Sequence, residues 1–491
     1  MAVMETDYLV IGTGGSAMAF VDTLLTEDPA AHILMVDRHH RPGGQWNDAY
    51  SFVRLHQPAA WYGVASCELS DWHRETSGFN AGMWSLASGP EVLAHFEHVM
   101  KHRFLAGGRV QWLPKCEWQG AEGGVHRIRS LMAGETHTVK VRRKLVNATH
   151  ARIEVPSTHP PKYALMPGVT CIPLNGLPAV TRPYANYTVV GAGKTGMDAC
   201  IWLLENGVPH ERIRWIVPRD PWMMDRANLQ PGPDGWRRNF AFSMAQFDAL
   251  CEASDLADLF RRVEESGALM RIDPEVQPSA YRCAVVSRGE LAQLRCIGEA
   301  GGIVRLGRVR SIEPSRMVLE GGELASDPDT LYIDCSASAI QPQPDLPIFE
   351  PGIINLLMVR FCQPLMSASV IGWVEAHIAD TAEQSALCQP VRGPERPADF
   401  VTMWVETLAN AARWRQHPEL TAWLSKCRLN AQAVILRGVE FTPEVKHQLA
   451  AIGARAATAT ARAPELLAMA TKELSQRSAP HAMPAPCAES P

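Results

Sequence analysis

The 491-residue chain contains no CxxC pair, no block of like charges and no run approaching about 18 uninterrupted apolar residues. Without a CxxC spacing there is no signature for a zinc site or a vicinal redox pair. The 12 cysteines are scattered from Cys67 to Cys487, which also argues against a disulfide framework. Without a long apolar run there is no spanning helix. The opening "MAVMETDYLV" lacks a basic segment leading into an apolar one, so no secretory signal is expected. These absences predict a cytoplasmic protein with reduced thiols and no metal. The 47 basic and 52 acidic residues leave a formal charge of −5, so neither nucleic acid nor an anionic membrane is an expected partner.

What is present is a nucleotide-binding pattern, written twice. The length exceeds a single hydrophobic core, so two or three units are expected. In "DYLVIGTGGSAMAF", residues 8–11 suit a buried parallel strand. Gly12 and Gly14 permit a tight turn close to a pyrophosphate, and Ala17 lets the following helix pack against the strand. That helix would aim its free N–H groups at the phosphates. A second apolar strand, "HILMVD", ends in Asp37, placed to accept hydrogen bonds from ribose hydroxyls.

"RPGGQW" and "RLHQP" follow. A dinucleotide unit followed by GGxW resembles the flavin-containing monooxygenase family of class B flavoprotein monooxygenases, two-dinucleotide-domain flavoproteins. The resemblance implies FAD lying along Gly12, Gly14, Gly15, Ser16, Ala17, Asp37, Arg38, Gly44, Gln45 and Trp46. It also implies that His56 and Gln57 approach the isoalloxazine ring, as the candidate catalytic groups. From the residues alone, Trp46 is equally a core side chain and His56 equally a structural one.

"NYTVVGAGKTGMDACIWLL" at 186–204 repeats the pattern at an offset of 179. Gly191, Gly193 and Gly196 take the places of Gly12, Gly14 and Ala17, so a second dinucleotide is implied. After the next strand, "RIRWIV", comes Arg219, read here as standing where the first copy has Asp37. A guanidinium pairs with a 2′-phosphate, so NADPH is favoured over NADH, with the adjacent Asp220 weakening that preference. Lys194 and Thr195, inside the loop, complete the candidate set; Lys194 adds positive charge near the phosphates or is simply exposed.

Short β-like runs at 109–149 end in "LVNATH", which resembles the ATG strand of such flavoproteins with His150 replacing the glycine; "TLYIDCSASAI" is a comparable ending. The expected fold is α/β: two Rossmann-like dinucleotide-binding domains, the FAD domain interrupted by the NADPH domain, plus C-terminal helices. The boundaries are 1–175 and 336–397 for the FAD domain, 176–335 for the NADPH domain with a helical lid region, 398–475 for helices and 476–491 for a disordered tail. "DPWMMDRAN" lines a pocket or packs as core.

With FAD and NADPH together, the resemblance implies an oxidoreductase: a monooxygenase in which a flavin C4a-hydroperoxide oxygenates a nucleophilic N, S or carbonyl centre of a small molecule, with secondary metabolism as the expected setting. The alternative is an FAD/NAD(P)H reductase, dehydrogenase or oxidase without oxygen transfer. Small-molecule substrate and O₂ are the partners, and a homodimer is left open. One departure stands out: the family fingerprint FxGxxxHxxx is missing. Aligned on Gly168, Met166 and Ile172 replace its Phe and His; aligned on Gly176, the His falls on Val180.

Overall fold

The computed structural model describes residues 3–150, 154–337 and 346–478, with side chains described to 472. The tail from 479, including Cys487, and the ends of "LVNATHARI" and "TLYIDCSASAI" lie outside the described residues.

The apolar runs form two sheets with matching centres. In the first, Met4–Ile11 lies between Thr136–Asn147 and Ile33–Asp37, with Val110–Pro114 beyond; these neighbours are parallel. Antiparallel strands Cys116–Glu122 and Val125–Ser130 extend it. In the second, Asn186–Val190 lies between Thr330–Asp334 and Ile213–Ile216, with Thr170–Pro173 and Ile303–Val304 at the edges, all parallel. The registers correspond: Ile11 opposes Asn147 and Val36, and Val190 opposes Asp334 and Ile216. Strands such as Ile33–Asp37 are buried throughout, which is why they read as unbroken apolar runs rather than alternating ones.

The chain completes the second sheet before Ile353–Asn355 returns to pair with Thr136–Asn147 in the first. Sheet membership corrects the first crossing, expected at 175. Thr170–Pro173 pairs with Thr330–Asp334, and Ala164–Leu165 pairs with Val309–Glu313, so both belong with the second unit. Helix Gly15–Glu27 packs along Pro364–His377, where a Cβ on Gly372 would stand 2.9 Å from the Phe20 carbonyl oxygen. Pro364–His377 is buried continuously from Leu365 to Glu375, which is why it is apolar on nearly every face.

Part of the stretch 220–285 shares one core with the C-terminal helices, while Leu291, Leu294 and Ile297 pack with the second sheet. Trp236–Glu252 and Leu256–Glu265 pack with Pro397–Arg415, Pro443–Ala461 and Ala463–Ser478 around Trp222, Phe260, Tyr281 and Phe400. Phe400 lies 5.4 Å from Phe260 and 5.0 Å from Tyr281, centroid to centroid. "DPWMMD" is thus a strand, Pro221–Asp225, buried at every position; Trp222 and Met223 are core, not pocket lining.

The expectation of reduced thiols is overturned at one place. Cys283 and Cys362 form a disulfide across 79 residues of sequence, joining strand Ala280–Val286 to the approach to Pro364–His377. Nine other described cysteines are free. Spacing could not reveal this pair, because its partners meet only through the fold.

Candidate cofactor-binding site

Each glycine loop is built where a strand hands over to a helix. Gly12 has φ +97° and Gly191 φ +124°, conformations that glycine alone adopts readily. Neither Gly14 nor Gly193 supplies a side-chain cap, and no acid occupies the first turn of Gly15–Glu27 or Lys194–Glu205. The first-turn N–H groups of both helices therefore have no side-chain acceptor at the cap, the condition for receiving a phosphate. Ala17 is fully buried, and a Cβ on Gly196 would stand 2.0 Å from the Gly191 carbonyl oxygen, so both third positions serve helix-to-strand packing. Ser16 and Thr195 sit partly buried in the first turns.

The GGQW segment returns to the first loop. Gly43 donates its N–H to the Thr13 carbonyl over 2.9 Å. A Cβ on Gly44 would lie 2.8 Å from the Gly14 Cα, so the two backbones approach this closely because residue 44 is glycine. Trp46 donates from Nε1 to the Tyr62 hydroxyl over 2.8 Å and packs edge-on against its ring, which favours the core reading of that tryptophan. The Tyr62 hydroxyl and Leu365 lie close over Gly15. Gln45 and Arg38 are exposed, and Arg38 pairs with Glu117 at 3.5 Å.

Asp37 departs from a simple ribose acceptor. One oxygen accepts the Thr13 N–H and hydroxyl (2.5 and 2.7 Å); the other accepts the His39 N–H and faces His39 Nδ1 (2.8 and 3.0 Å). Four partners fill its acceptor positions, so a ribose hydroxyl must displace one of them. Burial alone would raise the Asp37 pKa; the hydrogen bonds from His39 and Thr13 outweigh it and hold the carboxyl below its ordinary range.

The same segment then reaches the second loop. The Tyr50 hydroxyl donates to Asp198 Oδ2 over 2.5 Å, and Lys194 pairs with the other oxygen of that carboxylate. Lys194 is therefore neither simply exposed nor free. His56 lies beside the fully buried Arg226, which donates to its carbonyl, and within electrostatic reach of Lys194. Burial, then those two cations, push its pKa down to about 3, so its ring is neutral at physiological pH. Arg226 is held by the His56 carbonyl (2.8 Å), Glu290 (2.8 Å), the Val285 carbonyl (3.1 Å) and Asn80. No described residue hydrogen-bonds the His56 ring or the Gln57 side chain.

Past the second loop, register corrects one correspondence. Asp37 follows Val36, which opposes Ile11; the equivalent residue after Ile216 is Val217, buried and apolar. Arg219 stands two residues further on, and its Nη2 pairs with Glu395 at 2.8 Å. Asp220 is buried in a two-point pair with Arg305 at 2.9 and 3.0 Å.

Tyr50, Arg226, Glu290, Arg282 and Glu395 are not signalled by any local motif, since the partners that bring them together come from 59 to 176 residues away. A surface depression of about 460 Å³ lined by Ser66, Cys67, His98 and Arg103 contains none of the loop residues. No helix among the described residues is long and apolar enough to cross a membrane.

No protein-family model matches the chain. It is 44% identical over 476 residues, 96% of its length, to proteins of Mycobacterium tuberculosis and Mycobacterium bovis described as uncharacterized, covering 87% of each. Among solved structures, the open crystal structure of cyclohexanone monooxygenase matches with a TM-score of 0.51 at 14% identity, covering 86% of this chain and 98% of that one. Cyclohexanone monooxygenase from Rhodococcus sp. Phi1 bound to NADP+ gives 0.47 at 13%, covering 95% and 98%. At such identities the likeness is one of fold. The chain belongs to the family of these mycobacterial proteins, and its fold resembles that of the cyclohexanone monooxygenase structure.

Proposed function

We propose that this protein is an FAD-dependent, NADPH-using monooxygenase acting on a nucleophilic nitrogen, sulfur or carbonyl centre of a small molecule. The observation that carries the reading is the 43–58 segment: it touches the first glycine loop at Gly44 and the helix of the second at Tyr50, with the His56 carbonyl accepting from Arg226. One stretch of chain thereby holds two nucleotide cradles in a common frame, as transfer between two cofactors requires.

The residues fit both groups. Gly12, Gly14 and the start of Gly15–Glu27 form a cradle that added Cβ atoms would fill, and would take the FAD pyrophosphate. Gly191, Gly193 and the start of Lys194–Glu205 would take NADPH. A bound flavin would supply hydride acceptance and oxygen activation. The chain's own part is to orient and to exclude water. The neutral His56 imidazole offers one nitrogen as donor and the other as acceptor without bringing a charge, and the Gln57 amide offers both as well.

Ile172, packed against the second core where the family fingerprint has histidine, favours a second reading: an FAD/NAD(P)H oxidoreductase without oxygen transfer. The test is turnover of the FAD-loaded protein with NADPH, isotopically labelled O₂ and three probes: a thioether, a tertiary amine and a cyclic ketone. Label in the product, matched to NADPH consumed, supports oxygenation. Stoichiometric hydrogen peroxide with no labelled product overturns it in favour of the second reading.

A further inference from the structure

Glu395 is held by two arginines from different elements. Arg219 Nη2, just past strand Ile213–Ile216, and Arg282 Nη2, on strand Ala280–Val286, both donate to the same Glu395 oxygen at 2.8 Å. Two guanidiniums converging on one oxygen define a seat for an anion. The backbone holding Glu395 is fixed: its carbonyl accepts the Tyr281 N–H over 3.1 Å, and its N–H donates to Asp399 over 3.0 Å. Only the side chain need rotate to vacate the seat.

We propose that Glu395 is an internal anion occupying the seat of the cofactor's 2′-phosphate, and that Arg219 and Arg282 together read that phosphate once Glu395 swings out. This rests on the NADPH reading above. Arg219 lies at the end of the strand beside the second glycine loop, where α/β nucleotide folds read the ribose. The arginine side chains are each 34% exposed and Glu395 42%, so an external anion reaches all three. Ion pairs this exposed are weak, whereas a phosphate brings up to two charges and three acceptor oxygens to the same fork. The nearby acids do not compete for it. Asp220 is engaged by Arg305, and Asp399 accepts the Glu395 and Arg396 N–H groups and pairs with the Arg396 side chain at 3.5 Å.

The consequence is a built-in discrimination: a ligand without the 2′-phosphate leaves Glu395 in place, and one bearing it must displace the carboxylate. The experiment is calorimetric titration of the full-length protein with 2′,5′-ADP and with 5′-AMP, for wild type, Glu395→Gln and Arg282→Ala. If the seat is blocked about nine-tenths of the time, Glu395→Gln strengthens 2′,5′-ADP binding about tenfold and leaves 5′-AMP unchanged. Arg282→Ala weakens 2′,5′-ADP alone, and its unchanged 5′-AMP binding shows that the fold is intact. Wild type that prefers 2′,5′-ADP, with Glu395→Gln unchanged or weaker, overturns the role of Glu395 while the NADPH reading stands. Failure of both wild type and Glu395→Gln to distinguish the two ligands overturns both.

Discussion

The Tyr50 hydroxyl donates to the Asp198 carboxylate over 2.5 Å, joining the segment after the first glycine loop to the helix of the second, 148 residues away. Burial and the adjacent carboxylate push the Tyr50 pKa well above its ordinary value, so the phenol remains a donor across the working pH range. Tyr50→Phe keeps the ring and removes a charge-assisted hydrogen bond, at an expected cost of about 1.5–3 kcal/mol by urea denaturation. Unchanged stability would mean that Lys194 alone satisfies Asp198.

The glycines of the second loop divide by what surrounds them. A Cβ on Gly196 meets the Gly191 carbonyl oxygen, whereas one on Gly193, at φ −73°, meets nothing within 4 Å. Gly196→Ala is expected to cost more than about 4 kcal/mol, and Gly193→Ala less than about 0.5. Gly193→Ala should nevertheless weaken nucleotide binding if a pyrophosphate lies against that residue. Thermal melting with and without NADP+ separates the two effects.

Gly12→Val is expected to abolish FAD retention, because a branched side chain at φ +97° both strains the turn and fills the cradle. A well-folded variant that still purifies yellow and flavin-saturated contradicts the assignment of the first loop.

Asp220 is 6% exposed and depends on Arg305. Arg305→Ala strands a buried carboxylate and is expected to cost about 3–5 kcal/mol. Adding Asp220→Asn should recover part of the loss in a double-mutant cycle. Full additivity would show that the pair is not coupled.

His39 lies between Asp37 and Asp48 at 3.0 and 2.9 Å, and its hydrogen bond to Asp37 leads in raising its pKa above the ordinary value. A raised histidine pKa stabilises the fold fully below about pH 6.5, and the contribution fades as pH rises through the folded value. Wild type should therefore exceed His39→Gln in unfolding free energy by more at pH 5.5 than at pH 9. A gap that widens with pH would show that His39 is not protonated in the fold.

The Cys283–Cys362 bridge closes 79 residues of sequence. Alkylation of denatured, unreduced protein should label every cysteine except these two. Reduction should lower stability by about 4 kcal/mol on the chain-entropy account. Labelling of either residue before reduction would remove the bridge.

Both strand–glycine–helix units were legible in the sequence, because their determinants are local. A buried parallel strand, a positive-φ glycine and a small residue at the helix–strand contact all fall within about a dozen residues, and backbone sterics leave few alternatives. The strand pattern of 109–149 and the helices after 397 were legible for the same reason of period. Asp37 was correctly placed at a strand end, but its saturation by His39 was not visible. Nothing in "DRHH" says which way the imidazole turns.

Sequence by itself therefore determined the two loops, the alternation of strands and helices, and the family resemblance. Tertiary structure decided which charges are free. Arg219 reads in the sequence as the partner of a 2′-phosphate, and only the fold brings Glu395 and Arg282 to it. Asp220 was read as a competitor, and only the fold buries it against Arg305. Register decided that Val217, not Arg219, stands in the place of Asp37. Local conformation follows from short-range sterics, whereas ion pairs and a disulfide depend on which distant segments the sheets and cores bring within a few ångströms.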